Sequence, residues 1–400
     1  MPTYPTLADL SIRGRRVILR AGFDVPVDNG VVTDDSRVRA ILPTMKAILD
    51  GGASLVILAH QGRPKGKPLP EFSQRPLVPV LEKLLGCAVL FADTPSGPQT
   101  TDMAHALKPG QVLLVENLRY DPREEKNDPG FGRELAELGD LYINDAFTNC
   151  HRAHASMVQI PAILPGAIGL QLEEETTQLS RVIERPARPL VLVVSGAKME
   201  TKVPIIENFL DSADHIILGG AIANTFLAAK GFPIGGSLYE KEFIARAQDI
   251  MKKSEEGKHA LVHLPVDVVT ATSPDEAASA VNVSVDAVME GTCIYDLGTK
   301  SIDRAIACIE KAGMVVWNGP LGYFEVERFA EGSMRLAKAI AEGTAKRGLL
   351  SILGGGDTID LHERFKLPMD EYTFVSTGGG AMLEFVAGKS LPALSALVAS

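Results

Sequence analysis

The chain is poor in cysteine and in aromatic residues, with four cysteines and one tryptophan in 400 residues. Cys87, Cys150, Cys293 and Cys308 are scattered and form no CxxC pair, so neither a zinc site nor a disulfide framework is indicated. A reducing, cytoplasmic setting is therefore expected. The N-terminus has no apolar signal core, and no apolar run reaches membrane length, so no membrane partner is expected. Positive charge is not in surplus either. The net charge of −10 argues against a general nucleic-acid surface. Gly-x-Gly-x-x-Gly is missing, which disfavours a dinucleotide, and so is the P-loop pattern Gly-x-x-x-x-Gly-Lys-Ser/Thr. There is no low-complexity tract and no short repeat.

What remains is a globular composition, 46% hydrophobic and 22% charged, long enough that two domains are the starting expectation. Two glycine triplets stand out. Ser376-Thr-Gly-Gly-Gly-Ala-Met382 follows the apolar run Tyr372 to Val375, and Gly354-Gly-Gly-Asp-Thr358 follows Leu349 to Leu353. Each reads as a strand, a glycine turn and a helix start, where free N–H groups attract anions. One triplet alone is a tight turn; two suit the walls of a phosphate site at one sheet edge.

In chain order, Arg16–Arg20 reads as a strand. Asp34-Asp-Ser36 offers caps to a helix with Val38, Ile41, Leu42, Met45, Ile48 and Leu49 at helical spacing, and Pro43 predicts a kink in it. Arg37 and Arg39 lie in its first turn, where the helix dipole does not favour cations. Either one answers to an anion or both are solvated. Ser54–Ala59 is a strand that delivers His60-Gln-Gly-Arg-Pro64 at its carboxyl end, where open α/β sheets bind ligands. Further strands at Ala88–Phe91, Gln111–Val115 and Leu141–Ile143 alternate with helices at Leu77–Leu85 and Phe131–Leu138, which means a parallel sheet covered on both faces. Arg20, Arg37, His60, Arg63, Arg119 and Arg152 thus fall near successive strand ends and suit carboxylate or phosphate oxygens. His151 and His154 lack a carboxylate to complete a metal set.

Leu170 to Ile183 reads as a helix with Leu172, Thr176, Leu179 and Ile183 on one stripe and Glu173-Glu-Glu175 on the solvated face; it is the candidate hinge element. The second half repeats the strand-to-glycine plan. Strands beginning at Pro189, His215, Ala260 and Met314 lead to Ser195-Gly-Ala-Lys198, Gly219-Gly220, Leu264-Pro-Val-Asp267 and Asn318-Gly-Pro-Leu-Gly-Tyr-Phe-Glu325. Such a site would be built from backbone. Glu325 could accept from a ribose hydroxyl, and Asp357 is either a Mg²⁺ ligand or a turn residue.

These segments resemble phosphoglycerate kinases over nearly the whole chain. The resemblance is carried by Asp35-Ser-Arg-Val-Arg39, His60-Gln-Gly-Arg-Pro-Lys-Gly66, Glu116-Asn-Leu-Arg119, Asn144-Asp-Ala-Phe147, His151-Arg-Ala-His-Ala-Ser156, Gly196-Ala-Lys198, Trp317-Asn-Gly-Pro320 and the two glycine triplets. It implies two Rossmann-like domains of the α/β class, each a parallel sheet flanked by helices. Residues 1–169 would bind 3-phosphoglycerate, 170–185 would be the hinge helix, 186–387 would bind MgATP or MgADP, and the tail 388–400 would pack back on the first domain. It further implies that Arg37, His60, Arg63, Arg119 and Arg152 bind the triose. Lys198 and Lys202 would bind phosphate, and Asp357 would hold Mg²⁺. Gly196, Ala197, Gly219, Gly220, Gly298, Asn318, Pro320, Glu325, Gly354, Gly355, Gly356 and Thr358 would contact the nucleotide. Arg37, Lys202, Gly355 and Gly378 would surround the moving phosphoryl group. The implied protein is a cytoplasmic monomer that carries out reversible phosphoryl transfer between 1,3-bisphosphoglycerate and ADP. The rival reading is a non-catalytic nucleotide- or sugar-phosphate-binding protein of the same fold. Two departures mark the chain. Arg20-Ala-Gly-Phe-Asp-Val-Pro26 has Gly22 and Asp24 where the family usually has Asp and Asn, and Thr148-Asn-Cys150 stands where Gly-Thr-Ala is usual. The first touches the expected substrate loop, so Gly22 and Asp24 are counted with the substrate residues. The second is expected to alter only a loop.

Overall fold

The computed structural model describes Thr3–Val398. The chain divides into two units: residues up to Thr177 together with those from Lys389 on, and Gln178–Gly388. Met1, Pro2, Ala399 and Ser400, which the expected domain and tail limits include, lie outside the described residues.

In the first unit β1 (Arg16–Ala21) is followed by a small hairpin, β2 (Val27–Asp28) and β3 (Val31–Val32). Its two-residue turn, Asn29-Gly30, has φ of 48° and 76°, as a turn matched to strand twist requires. Helix α1 (Ser36–Asp50) continues unbroken through Pro43. Then come β4 (Ser54–Leu58), α2 (Val78–Leu85), β5 (Val89–Ala92), α3 (Pro98–His105), β6 (Val112–Val115), α4 (Pro129–Ala136), β7 (Leu141–Asp145), α5 (Ala155–Val158) and β8 (Gly166–Ile168). Six of these strands form one parallel sheet in the order β5-β6-β4-β1-β7-β8. The central strands are apolar on both faces because helices cover both, so they read as continuous runs rather than alternations. Val17, Leu19, Leu55, Ile57, Leu114 and Ile143 lie wholly buried in its core. Each contributes roughly 1.5–3 kcal/mol by burial.

Helix α6 (Leu170–Glu184) contains the point where the two units divide. Its buried face differs from the expected stripe. Leu172, Thr176 and Leu179 are buried, but Val182 takes the place of Ile183, and Glu175 is fully buried rather than solvated. Three residues after 172 and four before 179, position 175 lies on the inward face, and the run of three glutamates hides this.

The second unit continues with β9 (Leu190–Val194), α7 (Met199–Leu210), β10 (His215–Leu218), α8 (Gly220–Ala229), α9 (Ile244–Glu255), β11 (Leu261–His263), β12 (Asp267–Ala271), β13 (Val281–Ser284) and β14 (Cys293–Leu297). It ends with α10 (Thr299–Ile309), β15 (Met314–Asn318), α11 (Glu331–Arg347), β16 (Leu350–Gly354), α12 (Gly356–Arg364), β17 (Phe374–Ser376) and α13 (Gly380–Val386). A second parallel sheet runs β11-β10-β9-β15-β16-β17. A separate antiparallel sheet, β13-β12-β14, stands beside it and was not foreseen. Trp317 and Val193, both fully buried, anchor the main core. Helix α14 (Pro392–Val398) returns to the first unit, where the Ala393 N–H donates to the Cys150 carbonyl at 3.2 Å and Leu397 is buried.

Candidate functional site

Because the strands of the first unit are parallel, the segments after β1, β4, β6 and β7 emerge at one edge. They carry Gly22 to Asp24, His60 to Arg63, Glu116 to Arg119, and Ala146 onward. Arg20 is the exception among the expected basic residues. It is fully buried beneath the edge, donating to Ser156 Oγ at 2.9 Å and meeting His60 Nδ1 at 3.0 Å. Ser156 in turn donates to buried Glu124 at 2.6 Å. Arg20 is thus a strut that orients His60. Guanidinium groups only donate, so Nδ1 accepts, and the Nε2–H of His60 points towards the Asp24 carboxylate 3.9 Å away. Burial, then the cations Arg20, Arg119 and Arg152, hold the His60 imidazole well below its usual pKa, so it is neutral.

Arg119 is the focus of this edge. It is 3% exposed, and it donates through Nη1 to the Gly62 carbonyl at 2.7 Å. Its Nε and Nη2 are buried without a hydrogen-bond partner, Nε lying 3.4 Å from Glu125. Burial, and then Arg152, lower its pKa to about 10. A buried cation with unused donors beside another cation is unfavourable by itself and favourable for an anion.

Arg37 and Arg39 have different fates. Arg39 forms a two-pronged pair with Asp35 at 2.7 and 2.9 Å, so its charge is answered within the helix. Arg37 is exposed and donates to the backbone carbonyl of Asp24. Arg63 is exposed and Arg152 half-buried, the latter donating to His151 at 3.3 Å. Asp24 is held by the Gly62 N–H, which donates to its Oδ1 at 2.9 Å. The two departures from the family pattern are not independent. A Cβ on Gly22 would sit 3.3 Å from Thr148 Oγ1, so the side chain gained at 148 fills the space next to the one missing at 22. The loop that carries Thr148 thus lies beside the segment that carries Gly22.

In the second unit the segments after β9, β10, β15, β16 and β17 likewise share one edge. The two glycine triplets are neighbours, since Gly354 pairs with Ser376 across β16 and β17. Asn318 ties the edge together. Its Nδ2 donates to the Gly354 carbonyl at 2.6 Å, and its Oδ1 accepts from Lys202 Nζ. Thr358 Oγ1 accepts from the Gly319 N–H at 2.8 Å. Burial lowers the Lys202 pKa to about 8, partly offset by Asp357. Gly378 donates to Ser376 Oγ at 3.1 Å within its turn.

Among the expected nucleotide residues the glycines divide into two kinds. At Gly354 a Cβ would lie 2.1 Å from Met382 Sδ, and at Gly298 2.3 Å from the Asp267 carboxyl carbon, so both are glycine for close packing. Gly219 is similarly crowded by Leu321 and Ser195. At Gly356 a Cβ would meet nothing within 4 Å, which leaves the start of α12 open to close approach. Gly355 has φ of +106°, which side chains rarely adopt, and a Cβ there would lie 2.6 Å from Asn318 Nδ2.

A cavity of about 480 Å³ adjoins this edge. Gly196, Ala197, Gly220, Pro320, Glu325 and Asp357 line it, while Lys198 is exposed nearby in sequence and Gly298 lies outside the lining. Sequence reasoning missed its other wall, Tyr295, Asp296 and Leu297 of β14, with Leu238 and Phe324. Asp296 is buried and accepts from the Gly332 and Leu297 N–H groups at 2.9 and 2.8 Å, yet burial raises its pKa to about 7. No local pattern announces that wall, because it comes from the antiparallel sheet. An apolar slot leading to open glycine N–H groups, a lysine and a carboxylate suits a nucleotide with its phosphates at the strand ends.

One edge rich in guanidinium groups suits an organic anion and another with open N–H groups suits a nucleotide's phosphates, the pairing expected of a phosphotransferase. Comparison with known proteins makes the class specific. The family profile described as "Phosphoglycerate kinase" matches residues 7–389. The chain is 45% identical over 395 residues to the phosphoglycerate kinase of Chloroflexus aurantiacus, covering 98% of both chains, and 43% identical to that of Moorella thermoacetica at the same coverage. The structure of phosphoglycerate kinase from Coxiella burnetii is similar with a TM-score of 0.88 at 39% identity, covering 99% of each chain. That from Pyrococcus horikoshii gives 0.83 at 31% identity, covering 98% of each. The chain belongs to the phosphoglycerate kinase family. Its reaction is the reversible transfer of a phosphoryl group from 1,3-bisphosphoglycerate to ADP, giving 3-phosphoglycerate and ATP, a step of glycolysis. Among the described residues no helix is long and apolar enough to cross a membrane.

Proposed function

We propose that the basic edge of the first unit holds 3-phosphoglycerate through Arg37, His60, Arg63, Arg119 and Arg152. The observation that carries this is the buried guanidinium of Arg119, whose Nε and Nη2 have no hydrogen-bond partner. Neutral His60 donates through Nε2 to a substrate oxygen. Asp24, two residues along an extended segment from Gly22, takes the substrate hydroxyl on the same side.

The nucleotide lies in the cavity of the second unit with its ribose towards Glu325 and its phosphates over Gly355, Gly356 and Lys198. Asp357, with phosphate oxygens, offers the hard oxygen ligands that Mg²⁺ prefers, and it fits this role because its carboxylate borders the cavity beside the open helix start. When bound, Mg²⁺ would neutralise charge on the phosphates. Transfer of this kind needs positioning and charge neutralisation more than a base. Lys202 leaves the Asn318 amide oxygen for the moving phosphoryl group, and Arg37 and the N–H groups around Gly355 and Gly378 share its charge.

Closure about α6 unites the substrates and excludes water, which would otherwise hydrolyse ATP. Solution scattering should give a smaller radius of gyration with both ligands than with either alone, and identical curves in every state would reject closure. The enzyme acts as a monomer in the cytoplasm; four unpaired cysteines, which suit a reducing compartment, support that location. No observation favours the non-catalytic rival. The deciding experiment is an assay coupling formation of 1,3-bisphosphoglycerate from 3-phosphoglycerate and MgATP to oxidation of NADH; absence of turnover from folded protein would reject the proposal.

A further inference from the structure

A second cluster of chemically able side chains lies in the second unit, away from the nucleotide cavity. His215 opens β10, His263 closes β11, and Cys308 stands near the end of α10. The two strands are parallel neighbours in a register that pairs His215 with Leu261 and Ile217 with His263. The histidines are therefore diagonal neighbours on one face of the sheet, within reach of long side chains. Helix α10 packs on that face through Ile302, Ala305 and Ile309 against Ile217, and this brings Cys308 to the rim of the same core.

The three donor atoms converge. His263 Nε2 lies 3.0 Å from His215 Nδ1 and 3.9 Å from Cys308 Sγ, and all three lie within 4.8 Å of one another. Metal–nitrogen bonds of about 2.0–2.1 Å and metal–sulfur bonds of about 2.3 Å at a tetrahedral ion place donors roughly 3.3–3.6 Å apart, so small side-chain rotations suffice. All three residues are half-buried, which leaves a fourth position for water. Two imidazoles and a thiolate are borderline-to-soft ligands; they suit Zn²⁺ or Co²⁺ and not Mg²⁺, which takes oxygen. Sequence separations of 48 and 45 residues conceal the set from any search for short cysteine–histidine motifs.

We propose that His215, His263 and Cys308 form a site for a divalent transition metal, with Zn²⁺ as the ion they suit best. Binding replaces the histidine–histidine hydrogen bond by two metal–nitrogen bonds. It converts the Cys308 thiol to a thiolate, releasing one proton to solvent. The ion ties edge strand β11 and strand β10 to α10, the helix that follows the Tyr295–Leu297 wall of the nucleotide cavity. Arg304, exposed one turn earlier on α10 and close enough to act on His263, is the cation the ion must tolerate.

The test uses the full chain, freed of metal by a chelator and kept reduced, titrated with Co²⁺ in the absence of nucleotide. One equivalent should produce the thiolate-to-cobalt charge-transfer band and the visible bands of tetrahedral cobalt, and Zn²⁺ should displace both. A metal held by Asp357 cannot give the thiolate band, so the two sites are distinguished. Cys308→Ser should lose the charge-transfer band while keeping a cooperative melting transition, and Cys87→Ser should keep the band. Zn²⁺ should raise the melting temperature of the wild type and not that of Cys308→Ser or His263→Gln. The proposal is overturned if no thiolate band forms, or if the band survives Cys308→Ser. It is also overturned if Zn²⁺ shifts all variants equally, in which case the histidines form a hydrogen bond only.

Discussion

The two parallel sheets present their candidate ligand edges by opposite means. The first unit presents side chains: a buried arginine, a neutral histidine oriented by a second buried arginine, and exposed guanidinium groups around them. The second presents mostly backbone, with an open glycine at a helix start, Lys202 held on an amide oxygen and Lys198 exposed nearby. Under the proposed function, the two substrates account for the difference. A small triose offers a phosphate and a carboxylate and little else to grip, which forks of donors read well. A nucleotide offers a large base to bury and phosphates that N–H groups can cradle. Recognition by side chains should then fail sharply when one side chain is removed, whereas recognition by backbone should tolerate truncation and lose only chemistry.

The largest effect should come from Lys202→Ala. If Lys202 acts on the moving phosphoryl group, kcat should fall by about a hundredfold or more with little change in KM for ATP. Normal kcat with a raised KM for ATP would instead make it a binding group. Next, Arg119→Met should raise KM for 3-phosphoglycerate by roughly 30-fold or more, since loss of a buried partner of an anion costs about 2–5 kcal/mol. The same change should leave the melting temperature of the ligand-free protein unchanged or higher, because it removes a buried cation with unused donors. A large loss of thermal stability would mean that Arg119 is structural.

A pH profile sharpens the contrast. The folded-state pKa of Lys202, lowered by burial to about 8, means that its proton is lost as pH rises through that value. The alkaline limb of kcat/KM for ATP, which reports the free enzyme, should begin near pH 8, and Lys202→Arg should move it upward. The effect on stability has the opposite sign. Between about 8 and the ordinary lysine value near 10.4 the unfolded chain holds a proton that the fold does not, so this group makes stability rise with pH there. An unchanged alkaline limb in Lys202→Arg would assign that limb to another group.

The smallest effect belongs to the loop that departs from its family. Gly22→Asp alone should weaken 3-phosphoglycerate binding by a few-fold, about 1 kcal/mol, because it adds a second carboxylate near an anion and crowds Thr148. Combining it with Asp24→Asn should improve on the starting protein. An asparagine oxygen can still accept from the Gly62 N–H. Adding Thr148→Gly should improve binding further, by relieving the 3.3 Å approach. KM measured across this series should be non-additive, and strict additivity would separate the loop from the substrate.

The positions and type of the central parallel strands were legible because both faces are buried, so their apolar runs are unbroken. The basic edge was legible because arginine and histidine at strand ends have few other uses. Residues whose meaning depends on a distant partner were not. Arg20 looked like a ligand and is a strut because β1 buries it against Ser156. That Gly298 must be glycine to pack against Asp267, a residue of β12, was equally hidden from its local sequence. Glu175 looked solvated within a glutamate run but is buried, and the proximity of Thr148 to Gly22 could not be read from either segment alone. The Tyr295–Leu297 wall was missed because an antiparallel pairing is decided by partners and not by its own short pattern.

The most direct test of side-chain against backbone recognition is a calorimetric titration of the Arg119→Met/Lys202→Ala double variant with 3-phosphoglycerate and, separately, with MgADP. One side chain is then missing from each edge. The account predicts a Kd for 3-phosphoglycerate at least about 30-fold above that of the wild type. It predicts a Kd for MgADP within about threefold of the wild type, a change of less than about 0.7 kcal/mol. Binding of 3-phosphoglycerate at wild-type affinity, or loss of MgADP binding as well, would contradict the account.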